Sequence, residues 1–523
     1  MFNRRLSFLL LVLACALLVR LIGISERDLY CDEAVVMLYS KMSWERLLQI
    51  LPHENYGPLW FVTQKLWNYV DGYVWARLLS VALGVALVAT SFDMGMRIGG
   101  LQLAFIAGLI TATNCYLVSF SQKVWSYMPC TTFVMFALLA AVRLLQSRAI
   151  SKPYMSGSEL NSSARDFNEA SWLILTYCIA ALLALYTHYI ALPVLIVIAI
   201  VCAVHLRHAK GLLARWCIAH LIIASMMLPW AKFTLQRVSS VAHGFHMSKA
   251  SLLGILDMLH DFTTFAPSVH HAAIHARIVV ILAAILFSYL LVRGFWTSVM
   301  EKKLEPLSVI FLLGVTLWIM IALFLPVWHP RTLLPLAPLY CLIISKALAS
   351  HRRKITIVLS SSVLALNLAS LWFYFADEAY AEAQWKEAAG YLMKHRKSEP
   401  VVHSSVLSFA PITYHMGSTS GHMVLGLTEE TATAATNFVL LIEPKARLED
   451  FEELRKAADE FWLVETTDWR PWIKWRSDRA VVELRSRAAV ELALYLRGVS
   501  VYRCKLNGRK TGSKTDASRG DWM

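Results

Sequence analysis

Charge is scarce in this sequence. Of 523 residues only 16% are Asp, Glu, Lys or Arg, against 57% hydrophobic, which excludes both a disordered chain and an ordinary soluble surface. Cysteine is limited to nine residues with no CxxC pair, and seven of the nine lie inside apolar runs. A disulfide framework or zinc ribbon is therefore not encoded. No internal repeat is visible, which removes the usual sequence mark of a transporter built from inverted halves. The formal net charge of +14 comes from no compact basic module, so nucleic acid is not an expected partner.

Long apolar runs are what the chain has in abundance. A bilayer core about 30 Å thick needs roughly 20 apolar residues per helix. Eleven such runs lie near 6–24, 74–96, 101–120, 127–146, 171–188, 189–206, 212–231, 277–296, 306–325, 333–350 and 355–376. The expectation is an α-helical polytopic membrane protein of about 11 transmembrane helices. The first run has the look of a signal peptide, but it continues past Cys15 and is read as a retained helix.

Lys and Arg collect in alternate loops: Arg4 and Arg5, Arg97, Arg143 to Arg165, Arg207 to Arg215, Arg293 to Lys303, and Arg352 to Lys354. These are the expected cytoplasmic loops. The N-terminus then lies inside, in the inner (plasma) membrane of a cell, and three long segments face out: 25–73, 235–275 and everything after 377. Residues 1–376 form the expected transmembrane domain, with 25–73 as its first outward loop. Residues 377–505 read as an extracytoplasmic α/β domain: helix 383–395, strand "PVVHSS", a helix, strand "NFVLLIEP", helix 447–459, strand "FWLVETT" and a last strand at "SVYRCKL". Residues 506–523 lack apolar periodicity and are read as a disordered tail.

The outward segments hold the candidate chemistry. In "LYCDEAVV", Asp32 and Glu33 stand side by side soon after the first apolar run. Adjacent acids are ordinary in a solvated loop, but a carboxylate tuned by a neighbouring charge can also act as a general base. His53 and Glu54 in "PHENYGPLW" precede the turn at Gly57 and Pro58 into an aromatic segment, 56–70, suited to the membrane interface. They are a loop feature or a metal-ligand pair.

Lys123 and Tyr127 in "SQKVWSY", and Arg331 in "PVWHPRTLLPLAP", stand at outer helix boundaries. A basic residue there either snorkels to lipid headgroups or holds a phosphate. Arg20, within the first run, has the same two readings. His188 in "YTHYIALP" is read as a hydrogen-bonded structural or substrate-facing residue. Six histidines from His243 to His275, with His271 and His275 at i, i+4 spacing, lack the acid or cysteine that would complete a metal set.

Taken in order, the outward acid pair, "H-x-x-x-x-P-L", "SQ…Y", "YTHY", "LPW" at 228–230 and "R-x-LLPLxP" resemble the glycosyltransferase C superfamily. The nearest likeness is to bacterial membrane glycosyltransferases related to protein O-mannosyltransferases and to the lipid A aminoarabinose transferase, over roughly residues 1–376. The resemblance implies a sugar donor linked to polyprenyl phosphate, an extracytoplasmic acceptor (lipid, glycan or protein) and transfer with inversion. Within it, Asp32 corresponds to the catalytic carboxylate with Glu33 beside it. His53 and Pro58 correspond to the following turn, and Arg331 to a late arginine near the donor phosphate. Glu54, Lys123, Tyr127 and His188 complete the expected substrate-binding set.

Two departures stand out. Lys123 occupies a position where such proteins commonly carry an acid, and Thr332 follows Arg331 where tyrosine is common. Loss of that acid argues against a required divalent metal and leaves the Lys123 ammonium to neutralise phosphate. The expected function is transfer of a hexose or pentose from a polyprenyl-phosphate donor, with membrane lipids as the other partners and no required cofactor. A transporter or flippase, or an inactive transferase-like scaffold, is the competing reading.

Overall fold

The computed structural model describes residues 2–54, 56–147, 160–244, 249–264, 274–301, 305–376, 381–425, 438–448, 451–467 and 488–506. The chain divides into two compact units, the first holding residues 1–382 and the second beginning at Ala383.

The first unit is helical. It opens with α1 (Phe2–Leu21), α2 (Cys31–Lys41), α3 (Trp44–Ile50), α4 (Pro58–Trp67), α5 (Tyr73–Thr113), α6 (Cys115–Ser121) and α7 (Tyr127–Gln146). All eleven apolar runs fall on helices, and among the described residues eight helices are long and apolar enough to cross a membrane. The protein is an integral membrane protein with multiple spans. Helix α1 and the 16-residue helix Ala191–Leu206 are not among those eight.

Helix α5, at 41 residues, joins two of the expected spans. Its helical dihedrals break at Gly99 (φ −143°) and Gly100 (φ +75°), the latter in the left-handed region that glycine enters without a Cβ penalty. A Cβ on Gly95 would lie 2.7 Å from the Ala104 Cα, so the halves fold back on each other as a helical hairpin. The core of this unit runs from Leu87 on α5 through α7 to the helices of 160–206 and 305–349, where nearly every residue of Ala337–Ala349 is buried.

The first outward segment is not a loose loop. Ser43 caps α3 by accepting the Arg46 N–H at 3.2 Å, and α4 buries Trp60, Phe61 and Gln64. A Cβ on Gly57 would sit 2.0 Å from the Tyr186 carbonyl oxygen. Glycine at 57 is what lets the chain lie against the end of helix Leu160–Thr187 as it enters α4.

The second unit is α/β with a six-stranded mixed sheet ordered β3-β2-β1-β4-β6-β5. Strands β1 (Val401–His403), β2 (His422–Leu425), β3 (Arg447–Leu448) and β4 (Glu460–Thr466) pair in parallel, and β5 (Ala488–Leu496) and β6 (Val499–Leu506) close one edge antiparallel. All three residues of β1 are buried, as expected of a parallel strand covered on both faces.

Two expectations are corrected here. "NFVLLIEP" contains the short helix Phe438–Ile442 rather than a strand, and β3 lies within the segment 447–459 expected to be wholly helical, before helix Phe451–Ala457. A five- to eight-residue apolar run carries no period that separates a buried helix turn from a strand. Residues 506–523 lie outside the described residues apart from Leu506.

Candidate active site

The acid pair begins α2, and its two members part company. Glu33 is fully buried, and the Tyr30 N–H donates to its Oε2 at 3.1 Å, closing the first helical turn. Arg77, on α5, grips the same carboxylate with two bonds: Nε to Oε1 and Nη2 to Oε2, each 3.0 Å. The remaining guanidinium donors reach the carbonyls of Ile24, Arg27 and Asp28 at 2.7–3.0 Å. The Val124 N–H also donates to Glu33 Oε1 at 2.9 Å. One sealed ion pair thus ties the turn after α1, the start of α2, α5 and the segment before α7. A planar guanidinium suits this bidentate task where an ammonium would not.

Asp32 points elsewhere. Its side chain keeps 32% exposure, and its Oδ2 lies 3.9 Å from Nη1 of Arg331, itself 12% exposed. Burial within the fold pushes the Asp32 carboxyl above its ordinary value; Arg331 and Lys123 pull it back, and Glu33 adds a smaller upward push. A partly exposed carboxylate with an elevated pKa is a better base than a free one, because it takes a proton more readily while remaining accessible.

Arg331 stands in the 3₁₀ turn Pro330–Leu336, whose N-terminus is capped by His329 Nδ1 accepting the Arg331 N–H at 3.2 Å. Its guanidinium carbon lies 5.8 Å from the centre of the Tyr127 ring, and among the described residues its buried Nε has no hydrogen-bond partner. Tyr127, Tyr56 and His188 make an aromatic wall, with ring centres 4.7 Å apart for Tyr127 and His188 and 4.9 Å for Tyr56 and His188. The Ile190 N–H donates to His188 Nδ1 at 3.3 Å, which leaves the proton on Nε2, buried and without an acceptor among the described residues. Among the described residues, Arg331 Nε and His188 Nε2 are thus both N–H donors without a partner.

Lys123 donates to Glu382 Oε1 at 3.4 Å and lies 5.3 Å from the ring centre of Tyr30 and 4.5 Å from that of Trp125. Cations over aromatic faces are held by the ring quadrupole.

The other expected residues go elsewhere. Glu54 is buried and accepts the Tyr39 hydroxyl at 2.5 Å. Its neighbour His53 is exposed, and among the described residues no hydrogen bond, ion pair or ring contact joins it to Asp32. Arg20 does not snorkel: it is fully buried, donating to Ser121 Oγ and to the carbonyls of Ala16 and Ala112 at 3.0–3.1 Å. Its head stays inside because α1, α5 and α6 each offer it an acceptor.

Sequence reasoning missed Arg77, Tyr30, Tyr56, Trp125 and Glu382. Only Arg77 carried a visible mark, as an ionised residue inside an apolar run.

Among the described residues no group of three or more His, Cys, Asp and Glu could hold a metal ion. Of the histidine-rich stretch, His246, His270 and His271 lie outside the described residues, as do the side chains of His243 and His275. Among the described residues, the Asp32 pocket does not present the oxygen ligands that a divalent cation takes. Such an ion needs several oxygen ligands, whereas the charges acting on Asp32 are a guanidinium, an ammonium and a carboxylate already committed to Arg77.

The architecture defined so far is that of a polytopic helical membrane protein with a C-terminal α/β domain and an acid–arginine pocket beside an aromatic wall. The same fold is found in ArnT from Cupriavidus metallidurans. Its apo structure superposes with a TM-score of 0.65 at 11% identity over 95% of this chain and 98% of that one. Its structure bound to undecaprenyl phosphate gives a TM-score of 0.59 at 13% identity, with the same coverage. The archaeal oligosaccharyltransferase AglB from Archaeoglobus fulgidus, in complex with an inhibitory peptide and a dolichol-phosphate, gives 0.51 at 10% identity over 98% of this chain and 75% of that one. No protein-family model matches the sequence, and no curated protein matches it.

Proposed function

We propose that the protein is a membrane glycosyltransferase that moves a monosaccharide, a hexose or pentose, from a polyprenyl-phosphate donor to an acceptor on the outer face of the cytoplasmic membrane. The single observation that carries this reading is the placement of Asp32: a reachable, pKa-raised carboxylate 3.9 Å from a partly buried arginine, in a fold shared with proteins captured with undecaprenyl phosphate and dolichol-phosphate.

In this mechanism the acceptor hydroxyl attacks the anomeric carbon from the face opposite the phosphate, and its proton passes to Asp32. The bond between the anomeric carbon and the phosphate oxygen breaks with its electron pair staying on that oxygen, giving inversion and free polyprenyl phosphate. Arg331, with its open Nε donor, and Lys123 receive the charge that develops on the leaving phosphate. Tyr56, Tyr127 and His188 form the wall against which the donor is oriented. Glu33 reaches no reactant; it positions Asp32 through Arg77.

The N-terminus inside and the α/β domain outside follow from the loop charge bias. The test is mass spectrometry of glycolipids and glycoproteins from membranes containing the wild type or Asp32→Asn. The reading expects a hexose- or pentose-bearing species to disappear in the variant; an unchanged inventory would count for a transporter or an inactive scaffold.

A further inference from the structure

Away from the Asp32 pocket, three arginines meet on one acid. Asp93, on α5, accepts from Arg5 Nη2 through Oδ1 at 3.2 Å, and from Arg97 Nε and Arg143 Nη2 through Oδ2 at 3.1 and 2.6 Å. The three cations come from the first turn of α1, from α5 just before its break at Gly99, and from the last turn of α7. Helix α1 has 20 residues, a length of about 30 Å, and the Asp32–Glu33 pair follows its other end. The cluster therefore lies at the opposite end of the helical unit, where α1 begins, α5 turns back and α7 ends.

One carboxylate against three guanidinium groups leaves the cluster with an excess of positive charge. Each guanidinium carries five N–H donors in a rigid fork, and Asp93 takes one from each. Arg143 Nε is buried and has no hydrogen-bond partner among the described residues. Like charges crowded onto one acid repel, and arginines that only snorkel fan out separately into water. Convergence of this kind calls for a second anion. The side chains of Arg5, Arg97 and Arg143 stay 51%, 33% and 39% exposed, so an anion can reach them from outside.

The flank of the cluster indicates what carries that anion. Leu6, Leu10 and Leu11, next along α1 from Arg5, are exposed, an apolar surface for acyl chains. A ligand with its phosphate on the arginines and its chains on these leucines is a phospholipid. A zwitterionic lipid would bring a further cation to a cluster already in positive excess, so the charge favours a net-negative headgroup. We propose that Arg5, Arg97 and Arg143 bind the phosphate of an anionic phospholipid, in the leaflet opposite the one that the Asp32 pocket faces. The lipid fastens α1, α5 and α7 together from the membrane side. Nothing in this depends on the transferase reading.

The experiment measures binding of phosphatidylglycerol, with phosphatidylcholine as the zwitterionic control, to the full-length protein in a neutral detergent by native mass spectrometry. The wild type is expected to hold phosphatidylglycerol more tightly. Arg5→Gln leaves Asp93 paired with Arg97 and Arg143 and should weaken phosphatidylglycerol about fivefold, the size of one basic residue at an anionic surface. Arg97→Gln with Arg143→Gln should weaken it about 25-fold. Phosphatidylcholine binding should be unchanged in both variants. Arg352→Gln with Arg353→Gln removes the same charge from exposed positions at the start of helix Arg353–Ala376 and should bind as the wild type does.

Equal weakening in the two double variants would reduce the effect to a general attraction of basic loops and overturn the site. Phosphatidylglycerol binding that survives Arg97→Gln with Arg143→Gln would overturn it as well. Loss of both lipids together in Arg5→Gln would mark a residue that only holds the fold, again against the proposal. Excess inorganic phosphate should not displace the lipid; displacement would make the ligand a soluble phosphate and end the lipid assignment. A wild type that does not prefer phosphatidylglycerol would overturn the inference outright.

Discussion

At the scale of single residues, two adjacent acids have opposite fates. Asp32 and Glu33 are equivalent as letters. What separates them is the helical turn of α2, which aims one toward Arg331 and the other inward to Arg77. No pattern in residues 29–36 says which is which, because the partners lie 44 and 299 positions away. Arg77 could have been found, since an arginine in the apolar run 74–96 needs a partner.

Removing one member of a sealed ion pair leaves the other buried and unpaired, at a cost of about 3–5 kcal/mol. Glu33→Gln is therefore expected to lower the thermal midpoint of the solubilised protein sharply. Asp32→Asn should do the opposite. A carboxyl whose folded-state pKa lies above its unfolded value destabilises the protein once pH rises through that window. At neutral pH the amide removes this penalty, so the same thermal scan should show a small rise while activity is lost. Lys123→Met removes a cation that favours ionised Asp32, so the acid limb of the pH–rate profile should move to higher pH.

At the scale of elements, the apolar runs were legible because length and composition suffice for a span. Even the break near 97–100 shows in the sequence as Arg97, Ile98 and the pair Gly99 and Gly100, and the structure makes it a hairpin turn. The small strands of the C-terminal unit were not legible: β2 and β3 have four and two residues, too few to show alternation. Gly57 lies between these cases. The sequence marks a turn there, but the reason for glycine is the Tyr186 carbonyl, far away in the chain. Gly57→Ala would force two backbones apart. Overpacking of this kind typically costs about 1–3 kcal/mol, which should appear as a lower thermal midpoint together with loss of activity, because the wall residue Tyr56 must move.

The α/β unit has an acid-sensitive element of its own. On adjacent parallel strands, His403 Nε2 and His422 Nδ1 share a hydrogen bond of 2.9 Å, and His403 Nδ1 meets Ser408 Oγ at 3.0 Å. Burial depresses both imidazoles, His422 from 6.5 to about 3 and His403 well below 6.5. The unfolded chain binds protons that the folded pair refuses. Stability is therefore present above pH 6.5 and lost as pH falls toward the folded value, by about 1.4 kcal/mol per pH unit for each histidine. Limited proteolysis of the full chain should show residues 383–506 becoming cleavable between pH 7 and pH 5, with His422→Phe reducing the effect. Cleavage independent of pH would contradict this.

At the scale of the whole molecule, the sequence and the fold agree on a multispanning protein with a mixed α/β C-terminal unit. Sidedness rests on loop charge alone. Labelling a single cysteine placed at exposed His53 in intact cells tests it directly: access to a membrane-impermeant reagent is expected, and protection there together with access at a cytoplasmic-loop position would reverse the topology. The pocket was legible as a set of outward residues but not as a geometry. Asp32, Lys123, Tyr127, His188 and Arg331 come from segments that only the helical packing brings together, while Glu54 was drawn into a separate contact with Tyr39.

The central claim is that Asp32 takes a proton while a sugar leaves polyprenyl phosphate. The most direct measurement supplies purified full-length protein with the polyprenyl-phosphate sugars and acceptors extracted from its own host membranes, and follows release of free polyprenyl phosphate. The wild type should release it in step with acceptor glycosylation. Asp32→Asn should be at least about a hundredfold slower, the scale of general-base catalysis, with donor binding retained. Equal release by the two proteins would contradict the account.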